Sequence, residues 1–298
     1  MKEKVSVFSR RDFLKYCGVA FVGLFFQPER NSNYLKEGDI PISDRITFKD
    51  KLPAYINHKV LYLPSESAFY DRKLYQVKPD YICWHWDGGF TPKKEDKSRV
   101  YMTYNALLGR TNNGDPVATH FTVGPNSVLQ MLSISESYII QGRLTEDRGI
   151  SDILKAKSLR GIQIETTGSY FDINPPMPSQ DQTLIILTTA LMKQFKIPFS
   201  KITGHLERSP EVNKQDPGIL YLKKMRIKLL KYLIGNNLWK LINNPSCWNF
   251  YKEVKRNGKT ILEGTQTKEE ILSGLSFSER NLISFLFKDN NYLVNLGD

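Results

Sequence analysis

The chain has 298 residues, 40% hydrophobic and 24% charged, ordinary globular values that exclude a wholly disordered or fibrous protein. No stretch reaches the ~18 uninterrupted apolar residues of a transmembrane helix, and three cysteines are too few for a disulfide scaffold. The net charge of +11 is not spread evenly: residues 219–260 alone hold ten basic residues and one acidic, which sets the chain apart from a uniformly basic nucleic-acid coat.

Residues 1–27 read as an address. Ser9-Arg10-Arg11-Asp12-Phe13-Leu14-Lys15 precedes an apolar run from Tyr16 to Phe26. A charged head, a paired arginine and a short apolar stretch make a signal-like segment, and this one resembles a twin-arginine export signal. The resemblance implies the twin-arginine export machinery as a partner, folding before export, and a periplasmic or cell-envelope location. A frayed amphipathic helix is the alternative. Eleven apolar residues are too few for a permanent bilayer anchor, and no Ala-x-Ala cleavage site follows. Residues 28–77 read as a tether and entry segment, with an extended patch at Val60-Leu61-Tyr62-Leu63. If the signal is removed, Cys17 leaves with it; Cys83 and Cys247 are then expected as buried free thiols, with a disulfide as the alternative in an oxidising space.

Tyr81-Ile82-Cys83-Trp84-His85-Trp86 is a predicted strand by its aromatic and β-branched content. The period of two puts Tyr81, Cys83 and His85 on one face, and Asp87-Gly88-Gly89 ends it. A helix is predicted from Ser98 to Leu108. Thr119 to Val123 and Val128 to Leu132 read as a hairpin turning through Gly124-Pro125-Asn126-Ser127. Gly161 to Glu165 is another alternating strand, with Gln163 and Glu165 on one face and Ile162 and Ile164 on the other. Ser179 is the predicted start of a helix, with Gln182 as its capping-box partner; Leu184, Leu187, Leu191 and Phe195 form its apolar stripe, and Pro198 stops it. Lys201 to Gly204 is a short strand delivering His205. Residues 219–234 are amphipathic, with Leu222, Met225, Leu229 and Leu233 on one side and Lys224, Lys228 and Lys231 on the other. Strands interleaved with helices give an α/β fold, a mixed central β-sheet flanked by helices, followed by a short helical C-terminal extension with helices at 268–275 and 278–287.

Four histidines occur: His58, His85, His120 and His205. His85 and His205 sit at strand ends, where sheet-based enzymes place ligands and catalytic groups. The loop through Lys214-Gln215-Asp216-Pro217-Gly218 is long enough to fold back and bring a carboxylate to His205. Two imidazoles and one carboxylate can hold one zinc ion with a position left for water. On these residues alone the reading stays open, because scattered His and Asp are usually structural. His58 is expected at the surface.

The strand ending Tyr81-Ile82-Cys83-Trp84-His85, the strand Ala118 to Val123, the strand Gly161-Ile162-Gln163-Ile164-Glu165, and Gly204-His205 followed by Lys214-Gln215-Asp216-Pro217-Gly218 occur in this order. Their succession resembles the type-2 N-acetylmuramoyl-L-alanine amidases, whose fold is shared by peptidoglycan recognition proteins and phage endolysins. The resemblance covers roughly 78–232 and places a zinc amidase domain at 78–234. It implies hydrolysis of the amide between N-acetylmuramic acid and L-alanine in peptidoglycan or muropeptides. By the same resemblance His85, His205 and Asp216 are the ligands of one Zn2+, Glu165 is the general base, and Lys214 stabilises the oxyanion. His120 is read as a substrate-pocket wall or a satisfied core histidine, and Trp86 as a second pocket residue. Between His205 and Lys214 the chain departs from the family pattern, and there Glu207 and Glu211 are expected to add acid close to the site. A non-catalytic muropeptide-binding module on the same fold is the alternative, and a zinc peptidase cutting within the stem peptide is a third reading.

Residues 235–298 are expected as a basic, helical C-terminal extension. The cations of 219–260 are either the wetted face of a helix packed on the sheet or a patch for anionic wall polymers or a membrane surface. Nucleic acid is not expected, because no binding motif accompanies the charge.

Overall fold

The computed structural model describes residues 52–61, 75–89, 91–93, 96–112, 119–132, 134, 139–141, 161–208, 215–256 and 259–288. All of them belong to one compact unit, Ile40–Asp298. The signal-like segment, most of the tether and Lys214 lie outside the described residues. None of the described helices is long and apolar enough to cross a membrane.

A six-stranded mixed sheet forms the centre. Its strands, in chain order, are β1 (Asn57–Val60), β3 (Tyr81–Trp86), β4 (Phe121–Gly124), β5 (Ser127–Gln130), β7 (Gly161–Thr166) and β8 (Ile202–Gly204). Their spatial order is β1-β5-β4-β7-β3-β8. Strands β4, β7, β3 and β8 run parallel, β5 is antiparallel to β4, and β1 is parallel to β5. A separate pair joins β2 (Tyr75–Val77) to β6 (Ile139–Gln141), antiparallel.

The pattern of the two central strands explains their place. Tyr81 through His85 are all buried, as are Gly161 to Ile164 and Thr166, as expected for parallel strands covered on both faces. Ile82, Trp84, Ile162 and Ile164 enter one core with helices α2 (Pro178–Phe195) and α4 (Ile219–Gly235). The Trp84 indole N–H donates to Thr188 Oγ1 of α2 at 3.0 Å, so the even-numbered face of β3 is the helix-covered one. His85 therefore points to the opposite face.

Helix α1 (Arg99–Asn112) runs four residues beyond the predicted end. The β4–β5 hairpin turns through Pro125 and Asn126, the latter left-handed at φ 49°. Helix α2 starts one residue before the expected Ser179: Met177 is its N-cap, makes no side-chain cap bond, and Pro178 occupies the first turn. A proline there has no N–H to satisfy and presets φ, so a serine cap is not needed. Cys83 and Cys247 are both free thiols; Cys83 is buried and Cys247 is exposed. His58, expected at the surface, lies half-buried on β1, and burial lowers its imidazole pKa to about 4.

The C-terminal segment packs onto the same core. Leu241, Ile242, Trp248, Phe250, Ile271, Leu275 and Ile283 all join it. Besides the expected helices, α5 (Lys268–Ser273) and α6 (Phe277–Lys288), it contains an antiparallel hairpin, β9 (Phe250–Arg256) with β10 (Lys259–Gln266). Sequence periodicity did not predict that hairpin, although Asn257-Gly258 between two alternating runs is a strong hairpin signal.

Candidate metal centre

Three parallel strands bring their carboxyl ends together at one edge. His85 is the fifth residue of β3, and Glu165 stands directly opposite it on β7. On the other side of β3, strand β8 ends at Gly204 and hands over to a short helix, α3 (His205–Arg208), whose first residue is His205. The loop carrying Asp216 is tied to α3 by Leu206 N–H, which donates to the Asp216 carbonyl at 2.7 Å.

The side chains converge. Asp216 Oδ2 lies 3.2 Å from His85 Nδ1 and 2.9 Å from His205 Nδ1. The two imidazole rings are 4.4 Å apart between centroids. Asp216 Oδ1 accepts the backbone N–H of Trp86 at 2.5 Å. One ligand atom from each of His85, His205 and Asp216 lies within 4.8 Å of the others, and among the described residues this is the group of such side chains with that spacing. A tetrahedral zinc with bonds of roughly 2.0–2.2 Å sets its ligand atoms about 3.4 Å apart. The nitrogen–oxygen separations therefore need only a few tenths of an ångström of adjustment. Two imidazole nitrogens and a carboxylate oxygen are also the donor types zinc takes, so the residues fit the ion.

The electrostatics suit a cation. Burial pushes the Asp216 carboxyl up, but hydrogen bonds from His205 and His85 outweigh it and bring the pKa to about 2. Asp216 is therefore an anion at any physiological pH. The Glu165 carboxylate lies 3.9 Å from His85 Nδ1 and is only 14% exposed, so a second negative group faces the same point.

Gln163 supplies what the sequence left unnamed. Its Oε1 accepts from His85 Nε2 at 2.6 Å. An amide oxygen can only accept, so Nε2 carries a proton and Nδ1 is the nitrogen turned toward Asp216, the one that would be bared to hold a metal. This is the outer partner that a metal-ligating histidine ordinarily requires. Gln163 is itself held: its backbone N–H donates to His120 Nδ1 at 3.0 Å, and its backbone carbonyl accepts from His120 N and Thr119 Oγ1. His120 is 1% exposed and lies inside the sheet, two steps from His85 through Gln163. The structure does not bring it into the cluster.

Beside the cluster a cleft of about 170 Å³ is lined by Trp86, Tyr170, Asp172, Ile173, Gln215 and Gly218. Trp86 and Tyr170 form an aromatic corner, 5.2 Å between centroids and tilted by 48°. Gly218 is required there: its φ is +101°, and a Cβ would meet Asp172 Oδ1 at 2.5 Å. The turn that follows β3 is organised by Asp87, whose Oδ1 accepts from the N–H groups of Gly89 and Gly168, both at 2.8 Å, and whose Oδ2 accepts from Thr103 at 2.6 Å.

Glu207 does not add acid to the site. It points away from His205 and is enclosed by Arg226, Thr265 and Gly204 N–H. Arg226, counted within the basic segment, is fully buried. Three more of that segment's cations are paired on the surface: Lys223 with Glu270, Lys228 with Asp181 and Lys252 with Glu263.

Residues 75–219 match the family described as N-acetylmuramoyl-L-alanine amidase, and every residue of the cluster falls within that span. No curated protein matches the chain. Among solved structures the chain is similar to the catalytic domain of XlyA, at 16% identity and a TM-score of 0.37 over 62% of this chain and 97% of that one. It is similar to the amidase LysC of Clostridium intestinale URNW at 14% identity and 0.37, over 57% and 97%. It is also similar to peptidoglycan recognition protein-LE in complex with tracheal cytotoxin at 9% identity and 0.38, over 52% and 84%.

Proposed function

We propose that the chain is a zinc-dependent N-acetylmuramoyl-L-alanine amidase, hydrolysing the amide between N-acetylmuramic acid and L-alanine in peptidoglycan or muropeptides. The observation that carries this reading is the convergence of His85 Nδ1, His205 Nδ1 and the Asp216 carboxylate, with Glu165 in register beside them, inside the span that matches the amidase family.

Zinc held by these three side chains supplies Lewis acidity, which makes water acidic enough to yield hydroxide near neutral pH and polarises a carbonyl. The remaining work belongs to the chain. Glu165 takes a proton from the attacking water and returns it to the leaving nitrogen, as general base and then general acid. Gln163 keeps His85 in the tautomer that presents Nδ1 inward. Lys214, next to Gln215, matches the family lysine and would place a positive charge where the oxyanion develops, an effect worth a few kcal/mol in a dry site. Trp86 and Tyr170 offer apolar ring faces to the part of the substrate that enters the cleft.

The twin-arginine-like residues 9–15 support export and work in the periplasm or cell envelope, where the substrate lies. The cations of 219–260 that remain at the surface support contact with anionic wall polymers or lipid headgroups. The deciding experiment is mass spectrometry of soluble products from purified peptidoglycan, with and without a chelator. Free stem peptides beginning at L-alanine, lost on chelation, are expected. Muropeptide binding without turnover by zinc-loaded protein refutes the enzyme and leaves a binding module; cleavage within the stem peptide identifies a peptidase.

A further inference from the structure

We infer that the C-terminal β9–β10 hairpin is part of the metal centre: Thr265, carried on a β-bulge, and Phe250, paired beside it, hold the buried Glu207–Arg226 pair that positions His205. The inference rests on the zinc reading above and assigns to Thr265 and Phe250 a positioning role, not a catalytic one.

His205 is bracketed by a single buried network. Two residues after it, Glu207 has a side chain only 2% exposed, and both its oxygens are fully engaged. Oε1 accepts from Arg226 Nη1 at 3.0 Å and from the Thr265 hydroxyl; Oε2 accepts from Arg226 Nη2 and from the backbone N–H of Gly204 at 3.1 Å. Three residues before His205, the carbonyl of Ile202 accepts from Arg226 Nε at 3.1 Å and Nη2 at 2.8 Å. The residues at 202, 204 and 207 are thus all fastened to one guanidinium–carboxylate pair. The α3 turn cannot rotate or slide, and His205 with it, unless that pair breaks.

The pair is completed from the hairpin. The Phe250 ring covers the Arg226 guanidinium at 3.5 Å, a cation–π contact that is strongest when desolvated. Thr265 donates the remaining hydrogen bond to Glu207. These two hairpin residues lie side by side because of an irregularity. Gly264 pairs with Tyr251 and Gln266 with Phe250, so Thr265 is the extra residue of a bulge. In a regular strand, successive side chains face opposite sides. Here Thr265 and Gln266 are both buried, at 4% and 1% exposure. A bulge re-aims a side chain in this way, and this one aims a hydroxyl at Glu207. The hairpin base is anchored near β8 by Phe250 and Trp248, which both pack edge-on against Phe199, 6.4 and 5.3 Å between centroids.

Net stability does not explain such a site. A buried ion pair contributes little against apolar residues of equal volume, because desolvation of both charges offsets their attraction. Its geometric effect is specific, since a bidentate Arg–carboxylate fork fixes orientation as well as distance. Arg226, Phe250 and Thr265 all lie outside the span that matches the amidase family. In this chain the extension therefore supplies the support for one zinc ligand.

The test uses the full chain. Thr265→Val removes the hydroxyl at nearly constant volume, and Thr265→Ser restores it. Zinc affinity is read by competition with a chromogenic chelator, and ligand geometry by the visible bands of the cobalt-substituted protein. Thr265→Val is expected to bind zinc about tenfold more weakly, on the scale of outer-shell losses, and to change the cobalt bands, with Thr265→Ser restoring both. Phe250→Leu keeps apolar bulk but removes the ring over Arg226; it is expected to shift both readouts the same way, and it replaces Thr265→Val should that chain not fold. Parental affinity and parental cobalt bands in the folded variant overturn the inference. A parent whose zinc binding is absent, or undiminished by His205→Ala, refutes the zinc reading instead and removes the inference with it.

Discussion

Gln163→Leu isolates the role of the hydrogen bond behind His85. The perturbation keeps the side chain's bulk and removes the acceptor 2.6 Å from His85 Nε2. Both partners are buried, at 9% and 7% exposure, so water does not readily replace the lost oxygen. Two outcomes are open to the imidazole. It keeps its proton on Nε2 and leaves a buried donor unsatisfied, which costs about 1–3 kcal/mol. Otherwise the proton moves to Nδ1, the atom that must be bare to hold a metal. The first outcome lowers folding stability with or without zinc. In the second, zinc must drive the proton back to the unsatisfied Nε2, and about 1–3 kcal/mol then corresponds to roughly 5- to 150-fold weaker binding, which brackets the roughly 10- to 100-fold typical of outer-shell partners. Gln163→Glu keeps an acceptor at the same place and is expected to bind zinc at least as tightly as the parent. Isothermal titration calorimetry at constant pH on the three proteins, with thermal unfolding as the control for folding, measures the difference. Zinc binding by Gln163→Leu within twofold of the parent would refute the argument that the amide oxygen sets the tautomer.

Glu165→Gln is expected to retain zinc while lowering kcat by about 10²- to 10⁴-fold, the usual contribution of a general base; activity near the parental level would remove Glu165 from that role. Arg226→Met leaves the Glu207 carboxylate buried without its counter-charge and is expected to cost about 3–5 kcal/mol in urea unfolding, a loss that Glu207→Leu in the same chain partly reverses. His58 gives a pH signature. Burial lowers its pKa to about 4 from about 6.5 in the unfolded chain, so the unfolded state takes up the proton first. The stabilisation is complete above pH 6.5 and is lost as pH falls towards 4. Linkage sets a ceiling of about 3 kcal/mol, and residual solvent exposure reduces the expected loss to about 1–2 kcal/mol. Chemical denaturation of the parent and His58→Gln at pH 7 and pH 4.5 checks it; equal losses in both proteins would count against the burial argument.

Much of the centre was legible because period two is a strict rule. It put Gln163 and Glu165 on one face of their strand and His85 at the end of another. What it could not supply is that these strands are neighbours, in the register that sets His85 opposite Glu165. Pairing between positions eighty residues apart is a property of the whole sheet. Glu207 misled for a local reason: residues two apart on a helix lie about 200° apart, so the acid beside His205 in sequence faces away from it in space. Arg226 carried its own clue. It falls four residues after Leu222 and three before Leu229, on the apolar stripe of α4, and its burial follows from that position. Thr265 had no such clue, since a bulge inverts the alternation from which its direction would be read.

The hydrogen bond that seats Asp216 is given by the main chain of residue 86, not by its indole. Any residue other than proline can make that bond. The side chain at 86 meanwhile lines the cleft. The seat of Asp216 and the wall of the cleft thus meet at one residue without depending on each other. On the proposed reading, a substitution at position 86 therefore reshapes the cleft while the seat of Asp216 is left in place.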